Sequence, residues 1–242
     1  MAVVLMGLLT GVASGAQPNF RPPVAPPINS DERGQALARE VRESMPESDA
    51  RFDAILKTRS RDGTIVRVPV TGLIEIGSNY WKQVYLAAGT NDLKPQRLAI
   101  LHHPGKPNTY HLSKGDIDSP ASSVPDLSQP LGGSEFWVVD LGMDFLHWPF
   151  QRLIKTEMRK SRVCHVLESL NPSGAGYSRV LCWLDKEQGQ PLLAEAYDAE
   201  DRLVKEFAIG SLKKIDGQWQ IRDMKIVNVQ TGAKTWLEFQ FD

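Results

Sequence analysis

Residues 235–241 read TWLEFQF, and their alternation decides the fold class. On a strand, Leu237, Phe239 and Phe241 point one way while Glu238 and Gln240 point the other. That is the pattern of an antiparallel sheet with one buried and one wet face. Upstream of it, turn signals fall near Arg159–Ser161, Asn171–Gly176, Lys186–Gln190, Asp198–Arg202, Asp216-Gly217 and Gln230–Gly232. A spacing of roughly 10–18 residues suits a meander of hairpins. The apolar phase set by Trp219 and Ile221 slips at Met224 and Ile226, which predicts a β-bulge near Arg222.

The N-terminal half continues the pattern. Val66, Val68 and Val70 alternate after an Asp62-Gly63 hairpin signal, and Tyr80–Ala88 and Gln96–His102 read as further strands. Before them, Ser30 can cap a helix running to about Met45, with Asp31 and Glu32 in its first turn. Leu37, Val41 and Met45 give that helix one apolar stripe, so it must dock on something apolar. Residues 112–134 are rich in Ser, Pro, Gly and Asp and read as a flexible loop, of the kind that is disordered or forms a lid.

Residues 1–16, MAVVLMGLLTGVASGA, are uncharged and too short to span a bilayer, which takes about 20 apolar residues. Small residues Ser14-Gly15-Ala16 suit signal cleavage, although no Lys or Arg precedes the apolar run; a buried strand or helix is the other reading. Residues 17–29 carry five prolines and read as an extended tether, leaving 30–242 as one domain. The mature chain is expected to be soluble and periplasmic. Across 242 residues, 28 Lys and Arg against 29 Asp and Glu give a net charge of −1. No broad basic surface is expected, which argues against nucleic acid as a partner.

Two cysteines cannot make a disulfide scaffold or an all-thiolate metal site. If the hairpin between them is centred on Ser173, Cys164 faces Cys182, within disulfide reach in an oxidising compartment. The pair is then either a candidate disulfide or two reduced, buried small apolar residues.

No nucleophile elbow, zinc motif, P-loop or dinucleotide fingerprint occurs. His102 and His103 point to opposite faces of a strand, and His111, His147 and His165 are isolated. Asp140 and Asp144 stand four apart beside a helix dipole, where capping and solvation are the ordinary roles. No catalytic residue, metal or cofactor is expected, and the chain does not read as an enzyme.

Phe136–Phe150, FWVVDLGMDFLHWPF, packs five aromatics into fifteen residues after a Gly132-Gly133-Ser134 hinge. Either these side chains fill the core, or a short amphipathic helix bearing Phe145, Leu146 and Trp148 closes over a hollow sheet and ends at Pro149. The runs GSEFWVVDLGMDFLHWP, CHVLES, YSRVLCWLD, AEAYD and the late DGQW…TG…TWLEF resemble the LolA/LolB-like superfamily, and within it the bacterial outer-membrane lipoprotein-sorting proteins. The likeness is good over 130–242 and looser over 30–111. It implies a mainly β (α+β) fold: a strongly curved, incompletely closed antiparallel β-barrel, with an N-terminal helix and a short aromatic helix covering its mouth. It also implies an interior that holds acyl chains or senses envelope ligands.

The leading expectation is a periplasmic, non-enzymatic carrier or binder of lipid or lipoprotein acyl chains, touching membranes transiently. Phe136, Trp137, Phe145, Leu146 and Trp148 are its candidate lid, and Leu237, Phe239 and Phe241 its candidate cavity wall. The alternative is an envelope sensor or protein-interaction module on the same fold. The carrier reading requires the curved sheet to enclose apolar empty space.

Overall fold

A computed structural model describes residues 28–116, 122–123, 126–171, 176–215 and 218–241. The expected signal at 1–16 and the tether at 17–29, except its last two residues, lie outside the described residues. So do the Asp216-Gly217 turn and parts of the Asn171–Gly176 turn and the 112–134 loop. Helix α1 (Ser30–Glu43) leads into strands β1 (Ala50–Arg59), β2 (Ile65–Ile76), β3 (Trp81–Ala87), β4 (Gln96–His102), β5 (Thr109–Lys114) and β6 (Ser122–Ser123). A covering segment follows, made of α2 (Val138–Leu141) and a 3-10 turn, Asp144–His147. The chain then forms β7 (Phe150–Arg159), β8 (Arg162–Leu170), β9 (Arg179–Asp185), β10 (Pro191–Tyr197) and β11 (Leu203–Ile209). It ends with β12 (Leu212–Ile215), β13 (Gln218–Ile221), β14 (Asp223–Asn228) and β15 (Lys234–Gln240).

Thirteen strands build one sheet in the order β6-β5-β4-β3-β2-β1-β15-β14-β11-β10-β9-β8-β7, antiparallel throughout. The sheet is large, curved and not closed. Two meanders meet where β1 pairs with β15, setting Leu56 opposite Leu237, both 2% exposed. The alternation read from sequence explains which side is concave. Val68, Val70, Ile74, Met224 and Ile226 are all nearly fully buried, whereas Val66, at the start of β2, is not. Gly72 leaves room for the Phe52 ring, since a Cβ there would sit 1.9 Å from it. Phe52 in turn meets Tyr85 and Phe239 edge-on.

Several expectations need correction. The phase change at Arg222 is a change of sheet, not a bulge: β12 and β13 form a separate hairpin, and the chain rejoins the main sheet at Asp223. The helix begins at Ser30, so Asn29, with φ 58°, occupies the cap position and makes no side-chain cap bond. The docking face of α1 is Gly34, Ala38 and Val41, while Met45 lies beyond the helix and is 40% exposed. Parts of the 112–134 stretch are regular: β5 extends to Lys114, Pro130 bridges Trp137, and Leu131 is buried.

The cysteine register also differs. The turn between β8 and β9 is centred after Ser173, so Cys164 faces Asp185 and Cys182 faces Leu167. Both thiols are free and buried, and burial raises Cys164 to about 11. They serve as small apolar residues of the core.

Gly34 fixes how closely α1 can approach the sheet. A Cβ at this position would lie 2.6 Å from the Arg152 backbone. Gly34→Ala therefore has to lift the helix off β7, despite its gain in helix propensity. The expected result is a net loss of about 1–3 kcal/mol, read as a lower urea midpoint at unchanged m-value; an unchanged or higher midpoint would contradict this packing.

Candidate binding pocket

The covering segment lies across the concave face and is tied down at both ends. At its start, Glu135 N–H donates to Thr235 Oγ1 (2.9 Å), and Asn228 Nδ2 donates to Glu135 Oε2 (3.0 Å). Asp140 caps α2 by accepting from the Trp137 N–H at 2.8 Å. At its end, Arg42 of α1 donates to the Leu146 carbonyl (2.8 Å) and Gln35 to that of Pro149 (2.7 Å). Gln151 donates to the carbonyls of Phe145 and Trp148, while Ser169 donates to its amide oxygen. The single helix expected over Phe145–Trp148 is instead two short pieces, broken at Gly142-Met143, where Met143 has φ 48°.

Beneath this cover is a pocket of about 590 Å3, counted out to its open mouth. Most of that volume is open mouth, and the enclosed interior is narrow, with far less room than a hydrocarbon chain needs while the cover is closed. Tyr85, Val180, Ala194, Ala196, Phe207, Met224 and Ile226 form its sheet wall, and Phe136, Leu141 and Phe145 its roof. Three polar side chains reach it, from Asp140, Tyr177 and Lys205. The expectation of a broadly hollow interior is thus corrected: most of the concave face is filled by side chains, including those of the cover.

The candidate residues read from sequence divide accordingly. Phe136 and Phe145 line the pocket. Leu146 is 1% exposed in the core above it, and Trp148 lies edge-on to Phe145 at 6.5 Å. Trp137 stacks on Tyr177, with centroids 5.2 Å apart. Leu237 is core and does not line the pocket; Phe239 packs on Phe52. Phe241 lies past the end of β15, with Lys213 Nζ 5.4 Å from its ring centroid.

Lys205 is the residue that sequence reading missed. It is 1% exposed on β11, in the inward phase shared by Phe207 and Ile209. Its Nζ donates to the Glu135 carbonyl at 2.6 Å and to Asp140 Oδ2 at 3.5 Å. It also sits 3.4 Å from the Trp137 ring centroid. Tyr177 donates to Asp140 Oδ1 at 3.0 Å. One buried ammonium thus gathers three groups of the cover onto the sheet. Burial lowers Lys205 to about 8 against the opposing pull of Asp140 and Glu135. Burial likewise raises Asp140, opposed first by Lys205. The solvated role expected for Asp140 is corrected: it is a buried member of an ion pair. Asp144, on the separate 3-10 turn, accepts from Tyr110 at 3.1 Å.

Two histidines are held out of water, His147 within the cover and His102 at the end of β4. His102 stacks on Trp81 at 3.8 Å, and burial lowers it to about 3; burial lowers His147, on the 3-10 turn, to about 4. Unfolded, each titrates near 6.5, so below that pH the unfolded chain binds more protons and native stability falls as pH falls. His102 alone should remove on the order of 3 kcal/mol between pH 7 and pH 4. Denaturation midpoints across that range should show the loss, and His102→Gln should flatten it. An equal slope in the variant would reject the assignment.

The geometry has counterparts among solved structures. A DUF1329 family protein from Desulfovibrio piger superposes with a TM-score of 0.68 at 18% identity, over 87% of this chain and 91% of that one. A proposed outer membrane lipoprotein-sorting protein domain from Vibrio parahaemolyticus gives 0.68 at 21% identity, over 87% and 91%. A LolA superfamily protein from Nitrosomonas europaea gives 0.60 at 18%, over 88% and 92%. The fold is therefore LolA-like: a curved open sheet with helices across its concave face. A family model described as an uncharacterized protein matches residues 120–241, half of the chain, and the chain belongs to that family. No curated protein matches it. Among the described residues, no helix is long and apolar enough to cross a membrane.

Proposed function

We propose that the protein is an exported, periplasmic carrier or binder of the hydrocarbon chains of lipids or lipoproteins, acting in outer-membrane lipoprotein sorting. The observation that carries this reading is the apolar pocket on the concave face, roofed by a short, separately tethered segment. Its Vibrio parahaemolyticus structural relative is itself a proposed lipoprotein-sorting domain. The wall is apolar side chains and the roof is a short segment held by a few hydrogen bonds, an arrangement suited to holding a chain.

In the closed state the roof's own side chains occupy the space. A chain therefore enters by exchange, with Phe136, Leu141, Phe145 and Leu146 moving out as methylenes move in. Fourteen methylenes bring about 11 kcal/mol of burial, and four such side chains give up about 6–12 kcal/mol if fully exposed. The exchange is near balance, which is what reversible loading needs. The roof regains part of its burial by packing on the cargo.

The test is native mass spectrometry of the protein purified without detergent, lipid extraction, and titration with a fluorescent fatty acid. Bound lipid or saturable, competable binding is expected. Lipid-free protein that also ignores the fatty acid would overturn the carrier reading and leave the protein-interaction module as its replacement.

A further inference from the structure

The convex side of the sheet carries a basic patch that has no part in the pocket. Register sets Arg67 of β2, Lys57 of β1, Trp236 of β15 and Lys225 of β14 in one row across four adjacent strands. Two residues along, the next row of the same phase holds Ile65, Arg59, Lys234 and Val227. Strand alternation turns both rows outward, because Leu56, Val68, Met224, Ile226 and Leu237 occupy the buried phase. The eight positions cover about 14 Å by 7 Å. Five are cations and none is a carboxylate, on a chain whose net charge is −1. The nearest acids stand at the border: Glu238, 3.4 Å from Lys57, with Asp223 paired to it in the next row, and Glu206, which faces Val227 from β11.

At the centre is a half-buried Trp236. Lys57 Nζ and Lys225 Nζ lie 5.7 Å and 5.6 Å from its ring centroid. An indole flanked by long-stemmed cations is the chemistry of a membrane interface. The ring sits at headgroup depth, and the ammonium and guanidinium groups reach the phosphates. The shape agrees. A convex sheet face touches a plane along its crest and offers no groove to seat a peptide.

We propose that this convex patch docks the protein onto membrane surfaces rich in anionic phospholipid. The contact is electrostatic, led by Lys225, Lys234, Arg59 and Arg67, with Trp236 entering the headgroup layer. It does not rest on the carrier reading, since the patch faces away from the pocket and needs no open roof.

Co-sedimentation of the full chain with vesicles tests it, using phosphatidylcholine alone and phosphatidylcholine with 30–50% phosphatidylglycerol (roughly the anionic range in which such patches act). Binding to the anionic vesicles only, weakening with salt, is expected. K225E/K234E should lower partitioning about a hundredfold or more, and W236A should lower it with the salt dependence retained. Circular dichroism and fatty-acid binding by both variants report that fold and pocket are intact. Absence of binding to anionic vesicles overturns the proposal. So does equal binding to neutral ones, or unchanged partitioning of a folded K225E/K234E.

Discussion

Lys205→Met destabilises the protein by about 3–5 kcal/mol at neutral pH, the usual result of removing one partner of a buried ion pair. The apolar replacement fits the wall of Phe207 and Ile209, so the loss does not come from packing. It comes from Asp140, which remains on the inner side of the cover with Tyr177 and the Trp137 N–H as its partners. Losing the ammonium removes the main influence that opposes the upward shift of Asp140. The folded variant therefore holds a proton on Asp140 at pH values where the unfolded chain has released it. Its deficit relative to the parent shrinks as pH falls toward 3.8, because protons then favour the native state. D140N/K205M removes both charges and should recover most of the loss. Urea denaturation of the parent, both single variants and the double variant gives the coupling directly. A Lys205→Met deficit below about 1 kcal/mol, or a double variant no better than the single, would mean that the pair does not hold the cover.

The same residue shows where sequence reading stops. The two-residue alternation of TWLEFQF and the turn signals located most of the strands, because each reports a local burial preference. Leu237 in the core and the buried phase of β2 follow from that alone. Register across a turn is another matter. The Cys164–Cys182 pairing assumed a centre at Ser173, and the actual register of β8 on β9 moves every partner by three residues. The Arg222 slip looked like a bulge because a change of sheet and an extra residue give the same signature in one dimension. The pocket was harder still. FWVVDLGMDFLHWPF announced an apolar cover, yet only Phe136 and Phe145 of the eight candidates line the cavity. Which face of a broken helix points down depends on Gly142, Met143 and the Arg42 and Gln151 bonds, all tertiary facts. Lys205 did leave a trace. In LVKEFAI it shares the phase of Phe207 and Ile209, and a charge in an inward phase calls for a buried partner. Its partner, some 65 residues away in sequence, was not legible.

Ala196→Phe should abolish hydrocarbon binding while leaving the protein folded. Ala194 and Ala196 are the smallest side chains in the sheet wall, and together they give the pocket its width beside Phe207, which pairs with Ala194 from β11. A phenyl ring at 196 fills the space that a chain would take even after the cover lifts. Variants that merely loosen the roof cannot do this, since they change the ease of entry and leave the room intact. Overpacking should lower stability by about 1–3 kcal/mol, within reach of a domain with so large a core. Binding of a fluorescent fatty acid is expected to weaken at least tenfold, equivalent to about 1.4 kcal/mol of lost affinity. Ala196→Ser, nearly unchanged in size, should bind with an affinity close to that of the parent. Retained affinity in a folded Ala196→Phe protein would place the chain elsewhere and separate the pocket from the function. Parallel loss in the phenylalanine and serine variants would point to damage of the wall and not to occupancy of the space. The comparison thus asks whether volume at one position, with chemistry and cover unchanged, sets what this concave face can hold.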